Sequence, residues 1–208
     1  MKKKLLSLVL AGAMVASTSV SAFAANVTTP DNQDGSAEIK ITGEVISNSG
    51  ERPSSNFNVT VPTTASFTVD RTGKFIAPQA LTIQNEGSQN IDVYAYKFTD
   101  TTPKEGDGIT VISKKRLSDV DRTRVSLSVT GNEGTVHLAS NAGSKNNGIY
   151  SDEDLGTEVD ELKIASIARE SNKDLTVSGE AGQSGGDVLK AVSNSFTLTL
   201  KIKKSATQ

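Results

Sequence analysis

Residues 196–203, Phe-Thr-Leu-Thr-Leu-Lys-Ile-Lys, put an apolar side chain at every even position and a polar one at every odd position. Side chains alternate between the two faces of a β-strand, so this stretch reads as a strand with one dry and one wet face. The same period recurs upstream. Val125, Leu127 and Val129 alternate up to Gly131-Asn132, and Val136 and Leu138 resume after it, which predicts a hairpin. Phe57, Val59 and Val61 alternate up to Pro62, and Ala65, Phe67 and Val69 alternate before a turn at 71–74. Leu81 and Ile83, Ile109 to Ile112, and Leu175 and Val177 add shorter signals. Ile91 to Phe98 (IDVYAYKF) is apolar on both parities, as expected of a central strand covered on both sides. Residues 152–170 are mixed, and read best as an acidic loop or helical turn followed by a strand from Leu162 to Ala168. Polar stretches at 99–108, 140–148 and 179–186 read as loops. About ten strands joined by turn-rich loops predict an all-β, two-sheet antiparallel sandwich, jelly-roll-like.

The N-terminus carries a different signal. Lys2, Lys3 and Lys4 precede an apolar run from Leu5 to Val15, and Ala22-Phe23-Ala24 offers the small-x-small pattern cut by a signal peptidase. Residues 1–24 therefore read as a Sec signal peptide cleaved after Ala24, with Ala25 as the first mature residue. The run is too short to cross a hydrocarbon core of about 30 Å. The expectation is a secreted, extracellular protein with no membrane insertion in its mature form. Residues 25–36 (ANVTTPDNQDGS) are polar and expected to be disordered. In 37–46, Ile39, Ile41 and Val45 alternate with polar residues around Gly43, as in a half-buried strand, and 47–56 (SNSGERPSSN) has no apolar residue and reads as a flexible linker. Residues 37–208 are expected to form one domain. The C-terminal tail, 203–208, has no sortase sorting signal, so the expected product is released or held by other copies of itself.

Composition narrows the function. The chain has 22 Lys and Arg; without the three in the leader, 19 remain against 24 Asp and Glu, a net charge of −5. An acidic surface argues against nucleic acid as a partner. Cysteine is absent, so stability must come from a core, from association or from another covalent link. Few aromatic residues argue against, without excluding, a carbohydrate-binding module.

The ordinary catalytic sets are missing. His137, the single histidine, sits on the outward parity of a predicted strand, and with no cysteine the chain cannot assemble a usual zinc site by itself. No enzyme is expected, and no cofactor beyond weak Ca²⁺ binding at the acidic stretch Asp152 to Glu161, whose spacing departs from an EF-hand. Lys97 lies inside the apolar run 91–98. Burying an unpaired ammonium costs several kcal/mol, so Lys97 is a candidate for an isopeptide bond to an Asn or Asp. The alternative is an ammonium that reaches solvent.

The leader MKKKLLSLVLAGAMVAS, the pair FNVTVPTTASFTV (57–69) and LTIQNEGSQNIDVYAYKF (81–98) together resemble secreted biofilm fibre subunits of Gram-positive bacteria. The resemblance is to the TasA/camelysin group and, more closely, to clostridial pilin-like proteins of the BsaA kind. It implies a jelly-roll-like subunit that polymerises by lending a strand to its neighbour. The metalloprotease activity described for camelysin is not carried over, since the histidine ligands are missing. Residues 37–46 have the alternation a donated strand needs, and the ten-residue linker could reach roughly 33 Å. An ordinary first strand in its own domain fits equally well. The expected function is a self-assembling structural subunit of an extracellular matrix, with itself as partner and other matrix components as further candidates. The alternative is a monomeric secreted module that binds glycan, cell wall or a host ligand.

Overall fold

The computed structural model describes residues 24–29, 43–44, 57–100, 108–140, 145–184 and 192–206. Its strands are β1 (Ala24–Thr29), β2 (Gly43–Glu44), β3 (Phe57–Pro62), β4 (Thr68–Val69), β5 (Phe75–Ile76), β6 (Leu81–Asn85), β7 (Ile91–Asp100), β8 (Thr110–Val111), β9 (Arg124–Thr130), β10 (Thr135–Leu138), β11 (Ile149–Tyr150), β12 (Leu162–Ile167), β13 (Ser171–Ala181) and β14 (Phe196–Lys204). They form an all-β sandwich. The large sheet runs β1-β3-β6-β13-β9-β10-β11, with β8 also on β9, and the small sheet runs β12-β7-β14-β2. All pairings are antiparallel except β8 with β9 and β2 with β14. A small hairpin, β4–β5, lies beside the two sheets.

The alternation in residues 196–203 becomes the dry and wet faces of β14. Leu198, Leu200 and Ile202 are buried, against Ile91, Val93, Ala95 and Phe98 of β7 and the apolar residues of the large sheet: Val59, Val61, Leu81, Ile83, Val125, Leu127, Val129, Val136 and Leu138. Burying each such side chain contributes on the order of 1.5–3 kcal/mol, and this is what a cysteine-free chain relies on. The buried polar residue Asn85 is fully engaged where the sheets meet. Its amide donates to the carbonyls of Gln89 (2.7 Å) and Ala168 (3.0 Å), and its carbonyl accepts from the Gly87 N–H.

Two β-bulges set which residues face the core. Between β7 and β14 the register steps from Lys97–Thr199 to Ala95–Leu200, so Tyr96 is an extra residue; Tyr96 and Lys97 both stay out of the core and Phe98 returns to it. Between β12 and β7 the register steps from Lys163–Tyr94 to Ala165–Val93, and there the extra residue, Ile164, goes inward with Ala165. Lys97 is consequently exposed, which fits the reading of an ammonium that reaches solvent and not that of a buried lysine. Parity counted along the run could not foresee a residue inserted in the ladder.

Other differences have equally local causes. The loop expected from Gly179 starts only after Ala181, because Gly179 is paired with Leu127 in β13. A Cβ on Gly179 would stand 2.6 Å from the Phe75 ring, so its missing side chain makes room for that ring. Of 25–36, expected to lack structure, the structure describes 25–29, in β1 against β3; 30–36 lie outside the described residues.

Candidate interaction edge

The small sheet has two outer strands that end its ladder very differently. At β12 the β9–β10 turn of the large sheet folds over the edge. The Glu133 N–H donates to the Ile164 carbonyl (3.1 Å), the Asn132 amide donates to the Ser166 carbonyl and Ser166 N–H donates back to the Asn132 side chain (3.1 Å each). Gly131 permits this approach, since a Cβ there would stand 2.2 Å from the Ile164 carbonyl oxygen. The Gly131-Asn132 hairpin turn predicted from sequence thus also covers a strand edge, which the sequence does not announce.

At the other edge β14 is met by β2, where Gly43 and Glu44 run parallel to Leu200 and Lys201. Among the described residues this two-residue strand is the cover that β14 receives on that side, whereas β14 itself spans nine residues. Gly43, one of the four donor-strand candidates, is therefore placed on an edge; Ile39, Ile41 and Val45 lie outside the described residues, as does the linker 47–56. Sheet edges present backbone donors and acceptors that template further pairing. The N-terminal segment also supplies β1 to the edge of β3 in the large sheet, with Ala24 opposite Pro62 and Ala25 opposite Val61. Of the proposed cleavage residues, Ala22 is outside the described region, and Ala24 and Ala25 are the first two residues of β1.

The wet face of the small sheet is closed by its own charges. The Lys201 ammonium lies 3.4 Å from the Tyr96 ring centre and that of Lys203 4.3 Å from Tyr94, and both lysines pair with Glu161. Asp92, nearly buried, accepts from Ser166 Oγ (2.7 Å) and pairs with Lys163 (3.0 Å). The hydrogen bond from Lys163 to Asp92 holds the Lys163 ammonium above its ordinary pKa.

The acidic stretch fans out. Asp152 accepts from the N–H groups of Gly156 (2.9 Å) and Thr157 (2.8 Å), and these bonds hold its carboxyl below the usual value. Glu153 faces Lys114, Asp154 faces Lys115, and Glu158 accepts from the N–H groups of Lys145 and Asn147. Asp160 pairs with Lys145 and Glu161 with Lys201 and Lys203. Each carboxylate has its own partner, and among the described residues no group of three or more His, Asp or Glu side chains converges as a metal site.

His137 is half-buried on the outward face of β10, opposite Ser128. It lines a cleft of about 170 Å³ together with Ser126, Ser128, Ser178, Lys114, Glu153, Leu155 and Glu180. Its outward parity was readable from sequence; the cleft was not, because its walls come from segments distant in the chain. No helix among the described residues is long and apolar enough to cross a membrane. The chain matches no protein-family model, no curated protein and no solved structure.

Proposed function

We propose that this protein is an extracellular structural subunit that self-assembles into fibres by passing its N-terminal segment to a neighbouring copy. The observation that carries the reading is the β2–β14 pairing. The segment singled out by its alternation meets the small sheet at an edge, through two residue pairs, and is joined to β3 by a stretch, 47–56, without apolar residues. Handing the segment to the next subunit repeats the same pairing between chains, so the bonds lost within one copy are regained between copies. Residues 45–56 could reach roughly 40 Å when extended. The leader and the resemblance to secreted fibre subunits point the same way. No enzymatic activity and no resident cofactor form part of this proposal.

The decisive measurement is electron microscopy with circular dichroism on mature protein, on a form lacking 25–46, and on Ile41→Asp. The expected result is fibres from the parent only, with β-rich soluble subunits from both variants. Each buried Ile or Val of the segment is worth about 1.5–3 kcal/mol, and a carboxylate in its place reverses the sign. Fibres persisting in either variant would exclude this segment as the donor. Unfolded monomers in both would instead assign it to its own domain.

A further inference from the structure

On the outward face of the large sheet, three strands place polar side chains side by side: Ser178 of β13 is paired with Ser128 of β9, which is paired with His137 of β10. Neighbouring strands lie about 4.8 Å apart, close to the separation of hydroxyl groups two carbons apart on a sugar ring. Ser178 is exposed and Ser128 and His137 are half-buried, so among the described residues this row turns its polar groups to solvent and not to protein partners, whereas Thr130 and Thr135, the next outward pair along β9 and β10, bond to each other at 2.9 Å. The row opens into the cleft, and the cleft is walled rather than flat. Lys114 spans it, bonded to Glu180 at 2.8 Å and facing Glu153 at 3.7 Å. Leu155 leans in from the loop after β11, and this bulky residue is held at φ +57° by the turn that Asp152 fixes. Left-handed backbone at a leucine is strained, and strain of this kind concentrates at binding sites.

We infer that this cleft binds one neutral sugar ring. Its volume, about 170 Å³, lies below the ~300–1,000 Å³ of sites for larger ligands and is of the size of a single ring. An apolar ligand would strip solvent from the Ser128 and Ser178 hydroxyls without replacing its hydrogen bonds, which disfavours it. Two carboxylates against one ammonium disfavour a phosphate or carboxylate ligand. Ring hydroxyls satisfy Ser128, Ser178 and His137, while Ile112 and Leu155 supply apolar contact to the ring carbons. The site lies on the large sheet, away from β14, so it stands or falls independently of fibre formation.

The single histidine provides the test, because its ring protons give isolated NMR signals in untagged mature protein. D-glucose, D-galactose, N-acetyl-D-glucosamine, glucose 6-phosphate and ethylamine are titrated separately to about 50 mM. The expected result is a saturable shift of the His137 signals with at least one neutral sugar, Kd on the order of 1 mM, and none with the phosphate. Ser128→Val and Ser178→Val, both strand-compatible, should each weaken binding about threefold to tenfold while leaving the circular dichroism unchanged. No shift with any neutral sugar would overturn the inference. So would a shift with ethylamine or glucose 6-phosphate as large as with sugar, or sugar binding unaffected by both variants.

Discussion

The two edges of the small sheet are closed by opposite means. The edge of β12 is covered by a turn of the same sandwich, through Glu133 and the reciprocal Asn132–Ser166 pair, 34 residues apart in the chain. The edge of β14 is met by Gly43 and Glu44, from a segment attached through a long polar connector. The first cover is part of the β9–β10 hairpin; the second belongs to none of the hairpins and meets β14 through two residue pairs. On the reading proposed above, one fixed and one exchanged cover would give the sheet a single direction in which to grow, and that is what the comparison puts to the test.

Breaking the fixed cover should cost most. Gly131→Ala drives a Cβ to 2.2 Å from the Ile164 carbonyl oxygen and 2.9 Å from Leu175, so backbone must move. A loss of about 2–4 kcal/mol is expected, with a melting temperature lower by ~5–15 °C in thermal denaturation followed by circular dichroism. Assembly below that temperature should be unchanged, because β14 is untouched. A variant that melts with the parent would mean that the turn does not bear on β12. Asn132→Ala is milder: it removes two exposed hydrogen bonds and should cost about 1–2 kcal/mol, read as a shift in the denaturant midpoint with an unchanged slope.

The smallest effect is expected far from both edges, at Asp152. Its carboxyl is held below the ordinary value by the N–H groups of Gly156 and Thr157, so it contributes stability above its unfolded pKa of about 3.9, and that contribution is lost as pH falls through the lower folded value. Asp152→Asn should therefore be slightly less stable than the parent near neutral pH, with the gap closing below about pH 3. A gap that is constant across this range would show that the charge of Asp152 is not what holds the loop.

Strands with several alternating apolar residues were legible: Val59 and Val61 of β3, Leu81 and Ile83 of β6, Val125, Leu127 and Val129 of β9, Val136 and Leu138 of β10, and Leu198, Leu200 and Ile202 of β14 are buried as their period assigns, with Phe196 partly buried beside them. The strand from Leu162 also appears, ending at Ile167. The two-residue strands β2, β4 and β8 fall inside stretches read as strand signals, 37–46, 65–69 and 109–112, but are shorter than those stretches; β5 and β11 were not legible, because two residues carry no period. Nor was the 3-10 turn at Lys114–Asp119, which buries only Leu117. Which of the two readings of Lys97 applies was not legible, because the Tyr96 bulge resets parity, a decision made by the neighbouring strand rather than by β7 itself. At the candidate edge the sequence singled out the segment around Gly43, but only the fold says which strand it meets. The outward row Ser128, His137 and Ser178 follows from parity, while Lys114 and Leu155, which make it a cleft, arrive from other parts of the chain.

The two bulges also have a mechanical consequence. β7 carries an extra residue against β14, and β12 carries one against β7, at different heights along the same strand. Sliding either neighbour along β7 would bring an inserted residue against regular ladder and turn Lys97 or Ile164 to the wrong side. The bulges work as detents: a pull along the strands must break the ladder bonds together rather than let them creep one rung at a time. A sandwich sheared along β7 should therefore hold stiffly and then give way abruptly, not creep.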